Sequence, residues 1–176
     1  MTKLESAILY LLARVKKRGR NNLSKFELFK LLYLLEVGAY KYTGRSFLDD
    51  ISFVREKNGP ISFDVYNALS NLEGKYIQQV EVKKADYPFS RCCISLKKDY
   101  KNDNFSQSEK LFMNSIFEDY LDLSIKDLKA LVYKTPPMKE IIGKEGKGKI
   151  LKGYPVNFNS IPLDEEMVDL IAGPNE

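Results

Sequence analysis

The stretch closest to a known catalytic motif is Gly143-Lys-Glu-Gly-Lys-Gly148-Lys149-Ile150. It nearly spells the loop that cradles nucleotide phosphates. In that loop backbone N–H groups and a Lys surround the phosphates, and a following Ser or Thr hydroxyl holds Mg²⁺. Here Ile150 stands where the hydroxyl is needed, and a helix is expected before the run where the motif needs a strand. The run reads as a flexible basic loop.

Other catalytic chemistry is equally thin. The 176 residues include no His, which excludes Ser-His and Cys-His nucleophiles and His-metal sites. Two Cys are too few for a thiolate zinc site within one chain. Cys92 and Cys93 are adjacent, so on a strand their side chains would point to opposite faces. They read as two small strand residues of a cytosolic protein. Asp49-Asp50 and Glu165-Glu166 are carboxylate pairs without evident convergent partners, and such pairs are usually solvated or helix-start charges. The residues therefore indicate no catalytic group, no metal ligand and no cofactor site, and the chain is expected not to be an enzyme.

Two clusters suit binding better. Arg14, Lys16, Lys17, Arg18, Arg20 and Lys25, with Lys30 beyond them, form the densest positive feature. Such a cluster can contact nucleic-acid phosphates, with steep salt dependence as its signature. It also suits a solvated helix end, where cations complement the dipole, or an acidic protein partner. Arg55, Asn58, Gly59 and Pro60 form the second cluster. Either the turn presents Arg55 and backbone groups to a protein partner, or Gly-Pro makes a tight entry into the next helix. Charge is unevenly spread behind the formal +4: residues 1–47 hold ten Lys/Arg against three Asp/Glu, while residues 161–176 hold five acids and no base.

The elements that would position these residues are mostly helical. Leu4, Ile8, Leu11, Leu12 and Val15 repeat at helical spacing over residues 3–17, and Gly19 suits the stop. Ser24 and Glu27 fit a capping box. The helix they open, to about Tyr42, is apolar on nearly every side, which marks a central helix wrapped by others. Ile51, Phe53 and Val54 suit a short strand or an extended loop, and Asn58-Gly-Pro60 a turn. A third helix follows Ser62 and buries Val65, Leu69 and Leu72. Residues 76–84 and 91–97 alternate like two strands of one hairpin, with Tyr87, Pro88 and Phe89 in its loop. Helices resume after Ser106, with Leu111, Phe112, Ile116 and Tyr120 as the inner face. Another starts at Ser124, lined by Leu128, Leu131 and Val132. Thr135-Pro136 suits a third start, with Thr as cap and Pro in the first turn. A last short helix through Met167, Leu170 and Ile171 fits the acidic tail.

The expected class is α+β, predominantly α: a helical domain around a central apolar helix, with one inserted antiparallel β-hairpin in a winged-helix-like layout. Residues 1–160 read as one domain and 161–176 as an acidic tail that folds back on the basic rim or covers a partner surface. The apolar run 28–35 is interrupted by Lys30 and is far too short to span a bilayer. The N-terminal apolar residues are periodic, unlike a signal peptide. A soluble cytoplasmic protein without membrane contact is expected, of unspecified oligomeric state.

Several of these segments, in order, resemble the Panacea family of SocA-like proteins, often described as phage-associated. The resemblance begins in Leu28-Phe-Lys-Leu-Leu-Tyr-Leu-Leu35. It continues through Tyr42-Thr-Gly-Arg45, Phe47, Ile51-Ser-Phe53, Asn58-Gly-Pro-Ile61 and Val65-Tyr66. Leu128, Leu131, Tyr133, Thr135, Pro136 and Met138 extend it, so that it covers residues 20–155. Two departures stand out. Many members carry a His near the position of Lys134 or Thr135, and often Pro-Trp where this chain has Pro137-Met138.

The resemblance implies a non-enzymatic antitoxin that binds and neutralises a toxin protein, in at least one member as an adaptor for proteolysis. No catalytic residues come with the family. Protein interfaces favour aromatic and Arg anchors, so Tyr87 and Phe89 at the hairpin tip join Arg55, Asn58, Gly59 and Pro60 as partner-binding candidates. The alternative is a DNA-binding regulator in which Arg14, Lys16, Lys17, Arg18, Arg20 and Lys25 contact phosphates and the hairpin is a wing.

Overall fold

Each helix begins where a short polar side chain can satisfy the free N–H groups of a first turn. In the computed structural model, which describes residues 1–83, 90–101 and 104–164, Thr2 and Glu5 form a capping box that opens α1 (Lys3–Lys17). Ser24 and Glu27 do the same for α2 (Lys25–Thr43), and Ser106 and Glu109 for α4 (Gln107–Tyr120). Ser62 caps α3 (Phe63–Leu72) and Ser124 caps α5 (Ile125–Tyr133). Such a cap typically contributes about 1 kcal/mol. Gly44, with φ of 67°, ends α2 in the left-handed conformation that glycine adopts without strain.

The sixth helix, α6 (Pro136–Lys144), departs from expectation at its cap. Thr135 occupies the N-cap position, but its side chain makes no cap bond. Its hydroxyl donates instead to the Val132 carbonyl at 2.6 Å. A second correction concerns α4, where Met113, Ile116 and Phe117 are buried while Leu111 is 60% exposed. Leu111 shares helical spacing with the inner face, but none of the described elements packs over it.

The strands are more numerous than the alternation indicated. β4 (Ile77–Val82) and β5 (Arg91–Leu96) form the expected hairpin. β1 (Leu23–Ser24) adds to β5, giving the order β1-β5-β4. With β1 between the first two helices and the hairpin after the third, the chain follows the layout of a winged helix. A second hairpin pairs β2 (Val54–Glu56) with β3 (Gly59–Ile61). The turn therefore falls at Lys57-Asn58, and Gly59-Pro60 opens a strand. Pro60 is tolerated because its partner Arg55 bonds elsewhere. The Arg55 N–H donates to Tyr154 and its carbonyl accepts from Gly153, both at 2.8 Å. No ladder donor is asked of Pro60.

Those two bonds belong to a strap that follows the basic Gly/Lys run. Helix α6 runs through Gly143, and the chain then lies along β2, with Val156 N–H donating to the Phe53 carbonyl at 2.9 Å. The strap ends in one 3₁₀ turn, Phe158–Ser160. Phe158 enters an aromatic cluster with Tyr33, Tyr40 and Phe53, its ring stacked on Tyr40 with centroids 5.1 Å apart. Alternation of Tyr154, Val156 and Phe158 was the available signal for this extended segment.

Helix α2 is the axis of the core. Leu28, Leu31, Leu32, Leu34 and Leu35 are all at most 3% exposed, with α4, α5, β1, β3 and β5 packed around them. About 51% of the described residues are helical and 14% are in strands, which is the predominantly helical α+β class expected. Among the described residues, no helix is long and apolar enough to cross a membrane.

Candidate functional site

Three polar side chains of α2 are buried among its leucines at intervals of three residues. Lys30, Tyr33 and Glu36 are 2%, 0% and 1% exposed. At this spacing they share one broad face of the helix, and each pins a different irregular segment. Lys30 Nζ donates to the Asn58 carbonyl at 2.8 Å and lies 3.3 Å from the Phe26 ring centroid. Tyr33 and Thr135 hydroxyls are 2.7 Å apart. Because Thr135 spends its proton on Val132, Tyr33 is the donor of that pair.

Glu36 accepts from Ser46 Oγ at 2.7 Å, from Phe47 N–H at 3.0 Å and from Leu48 N–H at 2.7 Å. Burial pushes its carboxyl pKa up, although these three bonds act in the opposite direction. The carboxylate thereby folds residues 44–50 against the end of α2. Asp49 and Asp50 both have φ of 60°, a left-handed conformation that Asp tolerates better than most residues. Their role in the fold is to turn the chain.

That loop builds one wall of a concavity. A groove of about 1040 Å³ lies between the end of α2, the loop and the first half of α4. Ala39, Tyr42, Phe47, Leu111 and Phe112 provide its apolar surface, and Lys3, Arg45, Glu109 and Asp164 its charged rim. Leu163, 50% exposed, lies beside it against Gly44. Lys3 pairs with Glu109 at 2.9 Å and stands 4.4 Å over the Phe47 ring. A single exposed leucine is ordinary, but here Leu111 joins Phe47 and Phe112 along one groove, and contiguous apolar surface of this kind marks interaction sites.

Replacing Glu36 with Ala is expected to release this groove wall. Two backbone N–H groups lose their acceptor, at about 1–3 kcal/mol each where buried. Amide exchange at Phe47 and Leu48 should accelerate well beyond exchange in α1. Unchanged protection at both positions would show that Glu36 does not hold the loop.

The residues singled out from sequence lie elsewhere. Arg55 is 3% exposed and turned inward. Its Nε meets Glu145 at 2.8 Å and its Nη1 meets the Tyr133 hydroxyl at 2.9 Å and the Glu56 carbonyl. Gly59 and Pro60 are buried, while Asn58 is exposed. Tyr87, Phe89 and the Glu165-Glu166 pair lie outside the described residues, as does the short helix expected through Met167, Leu170 and Ile171.

The basic cluster is largely matched by carboxylates. Arg14 pairs with Glu118, Lys16 with Asp99, Arg18 with Asp122 and Arg20 with Glu27. Lys25 stands 5.5 Å over the Tyr66 ring, and Lys17 is exposed. Surface pairs of this kind add about 0–1 kcal/mol each, but they cancel much of the local positive potential.

The groove and the pins were not singled out from sequence. Leu111 was placed on the inner face, and Lys30 was counted with the basic cluster. A partial signal was present in Lys30 and Glu36, the two charges within the otherwise apolar stretch 28–40 of the helix.

A family model described as antitoxin SocA-like, Panacea domain, matches residues 28–137, well over half of the chain. The match contains Lys30, Tyr33 and Glu36, the groove loop, Leu111, Phe112 and Thr135. No curated protein matches the chain.

Proposed function

The chain belongs to the antitoxin SocA-like, Panacea-domain family, and from that premise we propose that it neutralises a toxin protein by binding it directly, with the groove between α2 and α4 as the docking surface. The observation that carries the location is Leu111, 60% exposed beside Phe47 and Phe112. A stable interface removes about 800 Å² from each partner and concentrates its energy on a few aromatic or Arg anchors in a desolvated centre. The groove supplies such a centre, and Arg45 on its rim makes no ion pair among the described residues. On this reading the chain acts in the cytoplasm by binding, without catalysis or cofactor. Direct binding is the step common to blocking, sequestration and delivery to a protease.

The test is co-expression with the product of the adjacent gene. That product alone should arrest growth, and the wild-type chain should restore it. Leu111→Asp should lose the rescue and weaken binding by at least about 30-fold, the scale of a 2 kcal/mol hot spot. The melting temperature should barely change, because Leu111 is exposed. Full rescue by Leu111→Asp would remove the groove from the interface, and a harmless neighbour would remove the toxin reading.

DNA binding is a second reading, favoured by the winged-helix order of elements. In that layout α3 would enter the major groove, yet it contains no Lys or Arg and one Asp. Four of the six basic candidates are already paired. Absence of a mobility shift on the chain's own promoter at about 50 mM salt would dispose of it.

A further inference from the structure

We propose that the outer edge of β4 pairs with β4 of a second copy of this chain, antiparallel and centred on Val82, so that two three-stranded sheets join into one of six strands. This pairing is independent of the function proposed above, because none of its residues lines the groove between α2 and α4.

The first argument is the direction of the backbone groups. β4 is the outermost strand in the order β1-β5-β4. Lys97 N–H donates to the Tyr76 carbonyl at 2.9 Å. Tyr76 and Lys97 are therefore a hydrogen-bonded pair next to the ladder that begins with Ile77 and Leu96. Such pairs alternate along an antiparallel ladder. Gln78, Val80 and Val82 thus bond to β5, while Ile77, Gln79 and Glu81 turn their N–H and C=O groups to the outer edge, with Lys83 next in the alternation. The chain itself covers the first half of that edge. The Ile77 carbonyl accepts from Gly74 N–H at 3.0 Å. Gln79 N–H donates to the Glu73 carboxylate at 3.2 Å, and Gln79 Nε2 to its other oxygen at 2.7 Å. Nothing among the described residues covers Glu81 or Lys83, which are both exposed. On the other face of the strand Val80 and Val82 are 51% and 40% exposed. A free edge carrying exposed β-branched side chains is a template for pairing with another chain.

The second argument is charge, which selects both the occupant and the register. Around a two-fold axis residue i meets j and j meets i, and outward-facing residues must meet outward-facing ones. Centring the pair on Gln79 or Val80 needs the Gln79 N–H that Glu73 occupies. Centring it on Glu81 sets that carboxylate against its own copy. Centring it on Val82 sets Glu81 opposite Lys83 and Lys83 opposite Glu81, two pairs of opposite charge. Neither side chain has an ion-pair partner among the described residues. Val82 then meets its own copy, with Val80 of each chain on the diagonal, within reach of the cluster. The edge is short and buries less than the about 800 Å² per partner of a standard interface. The dimer is accordingly weak, with a dissociation constant between about 1 μM and 1 mM.

The test is sedimentation equilibrium of the full chain, at concentrations up to about 1 mM to cover that range. Wild type should show a monomer–dimer equilibrium. Glu81→Lys and Lys83→Glu each turn both ion pairs into like-charge contacts, so each should weaken self-association about tenfold. The double variant Glu81→Lys/Lys83→Glu exchanges the signs and should return to the wild-type constant. An equimolar mixture of the two single variants should form a heterodimer, because all its cross-strand charges are opposite. Melting temperatures should barely move, since both positions are exposed. A monomer at every concentration overturns the proposal. Self-association that neither single variant weakens also overturns it, and places the contact on another surface such as the groove. Failure of the double variant to restore the dimer overturns the register and the pairing with it.

Discussion

Replacing Arg55 with Ala is expected to lower the unfolding free energy by about 3 kcal/mol, the lower end of the range for breaking an enclosed ion pair. The Arg55 side chain is 4% exposed and that of Glu145 is 11% exposed. The guanidinium simultaneously reaches Glu145, Tyr133 and the Glu56 carbonyl, and its Cζ lies 5.1 Å from the Tyr133 ring centroid. Removing it strands the Glu145 carboxylate, whose pKa is held down chiefly by the bond to Arg55. The strap's backbone bonds to β2 remain, but their side-chain anchor is gone. Arg55→Lys keeps the charge and loses the fork, so it should fall between wild type and Ala. The measurement is a urea midpoint at pH 7 with unchanged m-value. A loss below about 1 kcal/mol would mean that the pair contributes no more than an exposed salt bridge.

The second large effect concerns Lys30 and pH. Burial, with Lys129 adding repulsion, lowers its pKa from 10.5 to about 7. Between pH 7 and 10.5 the unfolded chain holds a proton on Lys30 that the folded chain has released. Stability therefore rises with pH across that window, and the full cost of enclosing the ammonium applies below it. At about 1.4 kcal/mol per pKa unit, the gain over the window is a few kcal/mol. Lys30→Met should lack this gain, so wild type and variant are compared at pH 6.5 and pH 10. The Asn58 carbonyl left unpaired in the variant costs the same at both pH values and cancels in the comparison. Parallel pH profiles for the two proteins would show that Lys30 titrates normally. Gly59 belongs to the same arrangement: its φ is 113°, and a Cβ there would lie 3.2 Å from Lys30 Nζ. Only glycine combines that backbone with room for the buried ammonium.

Both effects arise from contacts that residue-by-residue reading does not reach. The helices were legible because their signals are local. Capping residues act three positions away, and Leu4, Ile8, Leu11, Leu12 and Val15 repeat at the helical period. The β4–β5 hairpin was legible for the same reason. The β2–β3 hairpin was concealed because Gly59-Pro60 usually makes a turn. It makes a strand here because the strap takes over the hydrogen bonding of Arg55. Thr135 stands at a helix start, and only the nearness of Tyr33 explains why its hydroxyl does something else.

The chain's own order of residues determined its class, its central helix, its helix starts and its family, all of which rest on spacing within one element or on motifs in sequence. Tertiary structure decided what the charged and polar residues do. Arg55 meets Glu145 ninety positions away, Tyr33 meets Thr135 at a separation of 102, and Arg14 and Arg18 meet their carboxylates at 104. An isolated Arg is equally consistent with a binding anchor and a buried pin. What distinguishes them is whether the fold brings a carboxylate to it and excludes water, and that is a property of packed elements rather than of neighbours in the chain.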